Sequence, residues 1–105
     1  MTGVQTCALP IYQILLETLN DKDPNVRTEA AAALGKLAYP PAVPPLILAL
    51  SDPDGEVRRT TAISLGKLGD RSAIPPLQIA LNDESEPVRV LAKLAIAKIE
   101  NHEDL

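Results

Sequence analysis

The sequence contains no Trp and no Phe, and it has one Cys, one His and only 2% aromatic residues among its 105 positions. With so few rings, any core must be aliphatic. A single Cys excludes a disulfide framework. No apolar run approaches the roughly 18 residues needed to span a membrane. Excess charge is scarce as well: 10 Lys+Arg stand against 14 Asp+Glu, and the net charge of −4 offers no footprint for nucleic acid. The low-apolar, high-charge signature of disorder is missing, because 46% of residues are hydrophobic and 23% charged. What is plentiful is Leu and Ala, 30 residues together, and Pro, at 10. The size fits one small domain.

Reactive chemistry is equally sparse. The single His, His102, lies in the sequence Asn-His-Glu-Asp near the end of the chain. A metal site needs three or four convergent ligands, which an exposed tail does not preorganise, so a solvated tail is expected. No Ser is coupled to a His and an acid, and no Gly-rich phosphate loop is present. The acidic turns lack the twelve-residue spacing and terminal Glu of a calcium loop. No catalytic residue, cofactor or metal is expected.

Met1 to Ile11 reads MTGVQTCALPI, with neither the n-region charge nor the long apolar h-region of a signal peptide. Back-translated from a GTG start, all eleven residues resemble an in-frame reading of a common short-read sequencing adaptor. Residues 1–11 are therefore expected to be non-native, with native sequence upstream of Tyr12 missing. Cys7 then says nothing about redox compartment or catalysis.

From Tyr12 onward, Val26-Arg27, Val57-Arg58 and Val88-Arg89 recur at a spacing of 31, as do Leu19, Leu50 and Leu81. Taking 12–42, 43–73 and 74–104 as units, the first and second agree at 12 of 31 positions and the second and third at 9. This is an internal repeat. Each unit reads as a short apolar segment, an acidic turn and a longer periodic segment, hence two helices. Asp23, Asp54 and Ser85 are the expected N-caps, with Pro24 at N1. In the second unit Val57, Thr61, Ser64, Leu65 and Leu68 fall within about 100° of arc, the width of a core-facing stripe. The same stripe recurs as Val26, Ala30, Ala33, Leu34, Leu37 and as Val88, Ala92, Ala95, Ile96, Ile99. Gly69 suits a C′ position, and prolines at 40, 41, 44, 45, 75 and 76 mark the next short helix. The first helix is expected to begin at Pro10-Ile11, with residues 1–8 frayed. A helix pair this short cannot bury both faces alone, so the pairs must stack into a solenoid.

The frames AVPPLILALSDPDGEVRRTTAISLGKLGD and AIPPLQIALNDESEPVRVLAKLAIAKIE resemble the short HEAT-like repeats named after the phycobilisome lyases. The resemblance covers Tyr12 to Glu100. It implies an all-α fold, a right-handed α-α superhelix of three helix pairs, with second helices on the concave face and first helices on the convex one. It also implies a role in protein–protein interaction.

Three sets of positions follow from the repeat. Arg27, Arg58 and Arg89 recur six residues after Asp21, Asp52 and Asp83. Each guanidinium is expected to brace an acidic turn of its own or an adjacent unit as a structural ladder, since a repeat must replicate its inter-unit contacts. Ala31 and Gly35, like Ala62 and Gly66, form a small-residue edge where the next helix can approach. The third unit instead has Lys93 and Ala97 there, as a terminal cap with a polar outer face would, followed by a polar tail over 101–105. Opposite the core stripe lie Thr28, Ala32, Lys36, then Arg59, Ile63, Lys67, then Val90, Leu94, Lys98. Ile63, Val90 and Leu94 are aliphatic where a solvated face would be polar, and Arg59, Lys67 and Lys98 flank them, a pattern that signals a binding site. The expectation is a non-catalytic scaffold module, the C-terminal fragment of a longer HEAT-repeat protein. It would act in the cytoplasm as a monomer and bind a protein or peptide rather than nucleic acid or membrane. The alternative is an accessory segment of a lyase-type enzyme whose catalytic residues lie upstream.

Overall fold

Each acidic turn in the sequence becomes a helix start. Asp23 precedes α2 (Pro24–Leu37) in extended conformation, and its carboxylate accepts from the Asn25 amide at 2.9 Å. Asp54 caps α4 (Gly55–Leu68) in the same way, accepting from Glu56 at 2.8 Å and Val57 at 3.3 Å. These caps satisfy amides that the first helical turn leaves unpaired. The structure, a computed structural model, describes the backbone of residues 2–102 and the side chains of 10–101. The remaining helices are α1 (Thr2–Thr18), α3 (Val43–Ala49), α5 (Ile74–Ala80) and α6 (Glu86–His102). Short 3-10 turns at Pro40–Ala42 and Arg71–Ala73 lead into α3 and α5. The six helices form three pairs, and the described residues contain no strand.

Two boundaries differ from the sequence expectation. α1 starts at Thr2 and carries Pro10 inside it, so residues 2–8 are helical rather than frayed and Pro10 is not the helix start. An interior proline costs about 3 kcal/mol, through a lost hydrogen bond to the carbonyl four residues back and a ring clash with it, while propagation adds a bond for every other residue once a helix has nucleated. At the other end α6 runs on through Asn101 and His102, which were expected in the tail; residues 103–105 lie outside the described region.

Packing is uneven between the two layers. The second helices pack extensively on one another, α2 on α4 and α4 on α6, whereas α3 and α5 pack chiefly on their own second helices. Leu34, Leu46, Leu65, Leu77, Val57, Val88 and Ile99 are wholly buried and fill the space between layers. The close approach of the second helices depends on missing side chains. A Cβ at Gly35 would come within 2.8 Å of the Ser64 Cα, and one at Gly66 within 3.2 Å of Ala95. Across the first of these contacts the Ser64 hydroxyl donates to the Ala31 carbonyl at 2.6 Å, both buried. Leu37, placed by periodicity on the core stripe, is instead 48% exposed, because no helix covers that side of α2. The chain's two tyrosines stack at its N-terminal end, Tyr12 on Tyr39, with ring centroids 3.9 Å apart.

Candidate functional site

The recurring Arg and Asp residues meet along one edge, where the turns line up. Arg27 donates from Nε and Nη2 to the two carboxylate oxygens of Asp52, at 2.8 and 3.0 Å, and from Nη1 to the Asp21 carbonyl at 2.8 Å. Arg58 repeats the arrangement one unit on, with Asp83 at 2.8 and 3.0 Å and the Asp52 carbonyl at 2.8 Å. Each guanidinium thus clamps its own turn through a carbonyl and the following turn through a carboxylate, using the planar fork that Arg alone supplies. Burial by itself would push the Asp52 and Asp83 carboxyls up. The guanidinium hydrogen bonds, with the Asp54 and Ser85 amides, outweigh it and hold both carboxyls below the ordinary range. Arg89 repeats only the first half, donating from Nη1 to the Asp83 carbonyl at 2.6 Å. The Asp21 carboxylate likewise accepts, among the described residues, only the Asp23 amide, at 2.9 Å. Among the described residues no row of free cations forms, since carboxylates fill the Arg27 and Arg58 forks.

On the outer face of the second helices, Ile63, Leu94 and Lys98 join Gly66, Leu91 and Ala95 around a shallow groove of about 160 Å³ between α4 and α6. Gly66 makes the groove by leaving room where a side chain would stand. Leu94 is 58% exposed at its mouth, while Ile63 is half-buried. Val90, Arg59 and Lys67 do not line it. Val90 stands exposed one turn before Leu94. Arg59 is turned toward its own helix and bonds Glu56 through Nε at 3.1 Å and through Nη2, an ion pair that lowers the Glu56 carboxyl. Lys67 is exposed.

A larger groove, of about 650 Å³, lies on the opposite layer between α3 and α5, outside the residues expected from sequence to bind. Leu48 and Ile79 line it, at 78% and 75% exposure, with Pro76 beside them and Asn82 and Glu84 at the turn end. A signal for it exists in the sequence. VPPLILA and IPPLQIA carry no charge, so a helix of seven residues has more apolar groups than its one buried face can use, and Leu48 and Ile79 are one repeat apart. The groove opens because α3 and α5 are held apart by the closer-packed second helices.

No group of three or more His, Cys, Asp or Glu side chains among the described residues could hold a metal ion, and the side chain of His102 lies outside the described set. No described helix is long and apolar enough to cross a membrane.

Family models agree with this geometry. A model for HEAT repeats matches residues 43–105, and one for a single HEAT repeat matches residues 11–39. No curated protein matches the sequence. Among solved structures, the chain is similar to the complex of CpcE and CpcF of phycocyanin lyase from Nostoc sp. PCC7120, with 32% identity and a TM-score of 0.80 over 85% of this chain. The match takes in 37% of that chain, so this sequence spans little more than a third of that relative's length.

Proposed function

Because the chain belongs to the HEAT-repeat family, with six helices in three stacked pairs, we propose that it is a non-catalytic scaffold module that holds a protein or peptide on its second helices. The observation that carries this reading is the groove between α4 and α6, where Leu94 projects over a floor opened by Gly66 and Lys98 stands at the border. An exposed aliphatic anchor beside a small apolar cavity, edged by a cation, suits an apolar side chain on a partner with acidic neighbours. The tight packing of α2, α4 and α6 against one another fits a concave placement of this layer. A cytoplasmic location belongs to the same proposal.

The test is Leu94→Asp, assayed together by far-UV circular dichroism, thermal melting and affinity capture from cell extract. Since Leu94 is 58% exposed, the fold and melting temperature should hold while the captured partner is lost. A partner retained at wild-type level would show that the groove is not the site, and an unfolded variant would show that Leu94 is structural.

A second reading has one specific observation behind it, the 32% identity to a subunit chain of a lyase complex. On that reading the module is an accessory segment of a lyase-type enzyme. Coding sequence upstream of Tyr12 separates the two. A catalytic domain or His-Glu pairs there would favour the enzyme reading, and further plain repeats would favour the scaffold.

A further inference from the structure

The groove of about 650 Å³ between α3 and α5 has apolar walls that end on carboxylates, on the layer opposite the second-helix groove. We propose that it is a separate binding site for a basic amphipathic helix of a partner protein, whose aliphatic side chains enter between Leu48 and Ile79 while a Lys or Arg meets Glu84.

The bareness of this layer does not come from an end of the stack. Leu48 has a first helix on each side: it lines this groove with Ile79, and a smaller one of about 190 Å³ with Leu16 of α1. Even so it is 78% exposed, level with Ile79 at 75%. Flanking units therefore leave this position open in the middle of the stack. Both walls of the groove also come from consecutive units, so it is complete within residues 43–84.

VPPLILA and IPPLQIA place no charge along the walls, and each helix of seven residues is about 10 Å long. Two turns of a docked helix cover that length, which gives it room for aliphatic side chains at i and i+4. Because α3 and α5 pack on their second helices rather than on each other, the ridge of a third helix can settle between them. Every charge among the lining residues lies at the turn end: three carboxylates, Asp52, Asp83 and Glu84, and one cation, Arg58. Asp52 and Asp83 are taken by Arg27 and Arg58. Glu84 is not: its side chain is 89% exposed, and the nearby Arg58 Nη2, at 3.8 Å, already bonds Asp83 at 3.0 Å. A free carboxylate at the end of an uncharged groove selects a cation next to an apolar stripe. Residues 103–105 of the chain itself, Glu-Asp-Leu, bring the wrong charge. The second-helix groove, bordered by Lys98, selects the opposite sign, so the two sites do not compete for one ligand.

The probes are two fluorescein-labelled synthetic peptides of about 15 residues, near the lower limit for a helix in water. Both carry Leu at i, i+4 and i+7 with Ala around them, and one has Lys where the other has Glu. Fluorescence anisotropy with the full chain up to about 1 mM should show saturable binding of the Lys peptide, with Kd about 10–100 μM. The Glu peptide should bind about tenfold more weakly or less. In nitrogen–proton correlation spectra of the wild-type chain, shifts caused by the Lys peptide should gather at Leu48, Ile79 and Glu84. Leu48→Ser and Ile79→Ser should each weaken the Lys peptide about fivefold or more, with the melting temperature held because both side chains are exposed. Glu84→Lys should weaken the Lys peptide and strengthen the Glu peptide. The proposal is overturned by no saturable binding of the Lys peptide, by equal affinity for both peptides, or by shifts confined to Ile63, Leu91 and Leu94. It is equally overturned if Leu48→Ser and Glu84→Lys leave the affinity unmoved, or if the wild-type chain self-associates and Leu48→Ser abolishes it, which would put a second copy in the groove. The wild-type spectra locate the peptide without any substitution, so they decide the matter even if a serine variant melts lower. Failure here leaves the second-helix groove standing, since its test reads Leu94.

Discussion

Ala38 and Gly69 hold the same place one repeat apart, and both lie in the left-handed region, at φ 53° and 72°. For Gly69 that conformation is free of Cβ strain; for Ala38 it is not. Ala38→Gly should therefore raise stability by about 1 kcal/mol, read as a higher urea midpoint, because the relieved strain exceeds the added entropy of the unfolded chain. The two interface glycines make a sharper comparison. Gly35→Ala drives a methyl to within 2.8 Å of the Ser64 backbone, whereas Gly66→Ala meets Ala95 at 3.2 Å, a gap a few tenths of an ångström of movement can open. Helix propensity favours Ala at both by about 1 kcal/mol, while overpacking opposes it by about 1–3 kcal/mol. Gly35→Ala should destabilise and Gly66→Ala should change little, whereas Gly66→Leu should destabilise clearly. A Gly66→Leu midpoint above wild type would mean that this edge faces solvent. The Thr61 hydroxyl is buried without a hydrogen-bond partner among the described residues. Thr61→Val keeps the shape and removes the unpaired group, so the thermal midpoint should rise, in line with a penalty of about 1–3 kcal/mol for such a group.

At the scale of elements, an Arg near the start of each of the first two second helices and an Asp in the following acidic turn carry the charge that holds neighbouring pairs together. Asp52 and Asp83 have carboxyls held below the ordinary value of 3.8 in the folded chain. A depressed carboxylate contributes stability that is full above its unfolded pKa and lost as pH falls through the folded one. Melting temperature should therefore hold from neutral pH down to about 4 and fall steeply below it. In Asp52→Asn the fall should be shallower from a lower starting point. Equal slopes in both chains would remove the ladder from the acid transition. The recurrence of Asp and Arg at fixed spacing is plain in the sequence, and so are the caps, because a cap bonds amides within three residues of itself. Whether a guanidinium reaches its own turn or the next is not legible, since the reach between turns is set by how closely α2 packs on α4. In the structure Arg58 does both, through the Asp52 carbonyl and the Asp83 carboxylate.

At the scale of the molecule, stability in a stack of repeats is close to a sum of unit terms and nearest-neighbour contacts. Inserting a second copy of residues 43–73 after Ala73 adds one unit and one complete Arg–Asp rung. The longer chain should melt higher and unfold with a larger urea m-value; a lower midpoint would show that the middle unit does not fit against itself. The sequence by itself determined the period, the all-helical class, the turn positions and the aliphatic core, because each rests on local patterning: apolar spacing, a capping acid, a proline at a helix start. It did not determine where α1 begins, since a proline that can start a helix can also sit inside one. Tertiary packing alone decided which apolar residues became surface. Leu37 lies on the core stripe yet is exposed for want of a covering helix, and Leu48 and Ile79 are bared because close-packed second helices hold α3 and α5 apart. Periodicity tells a residue which way to point along its own helix, but only the neighbouring pair decides whether anything stands there.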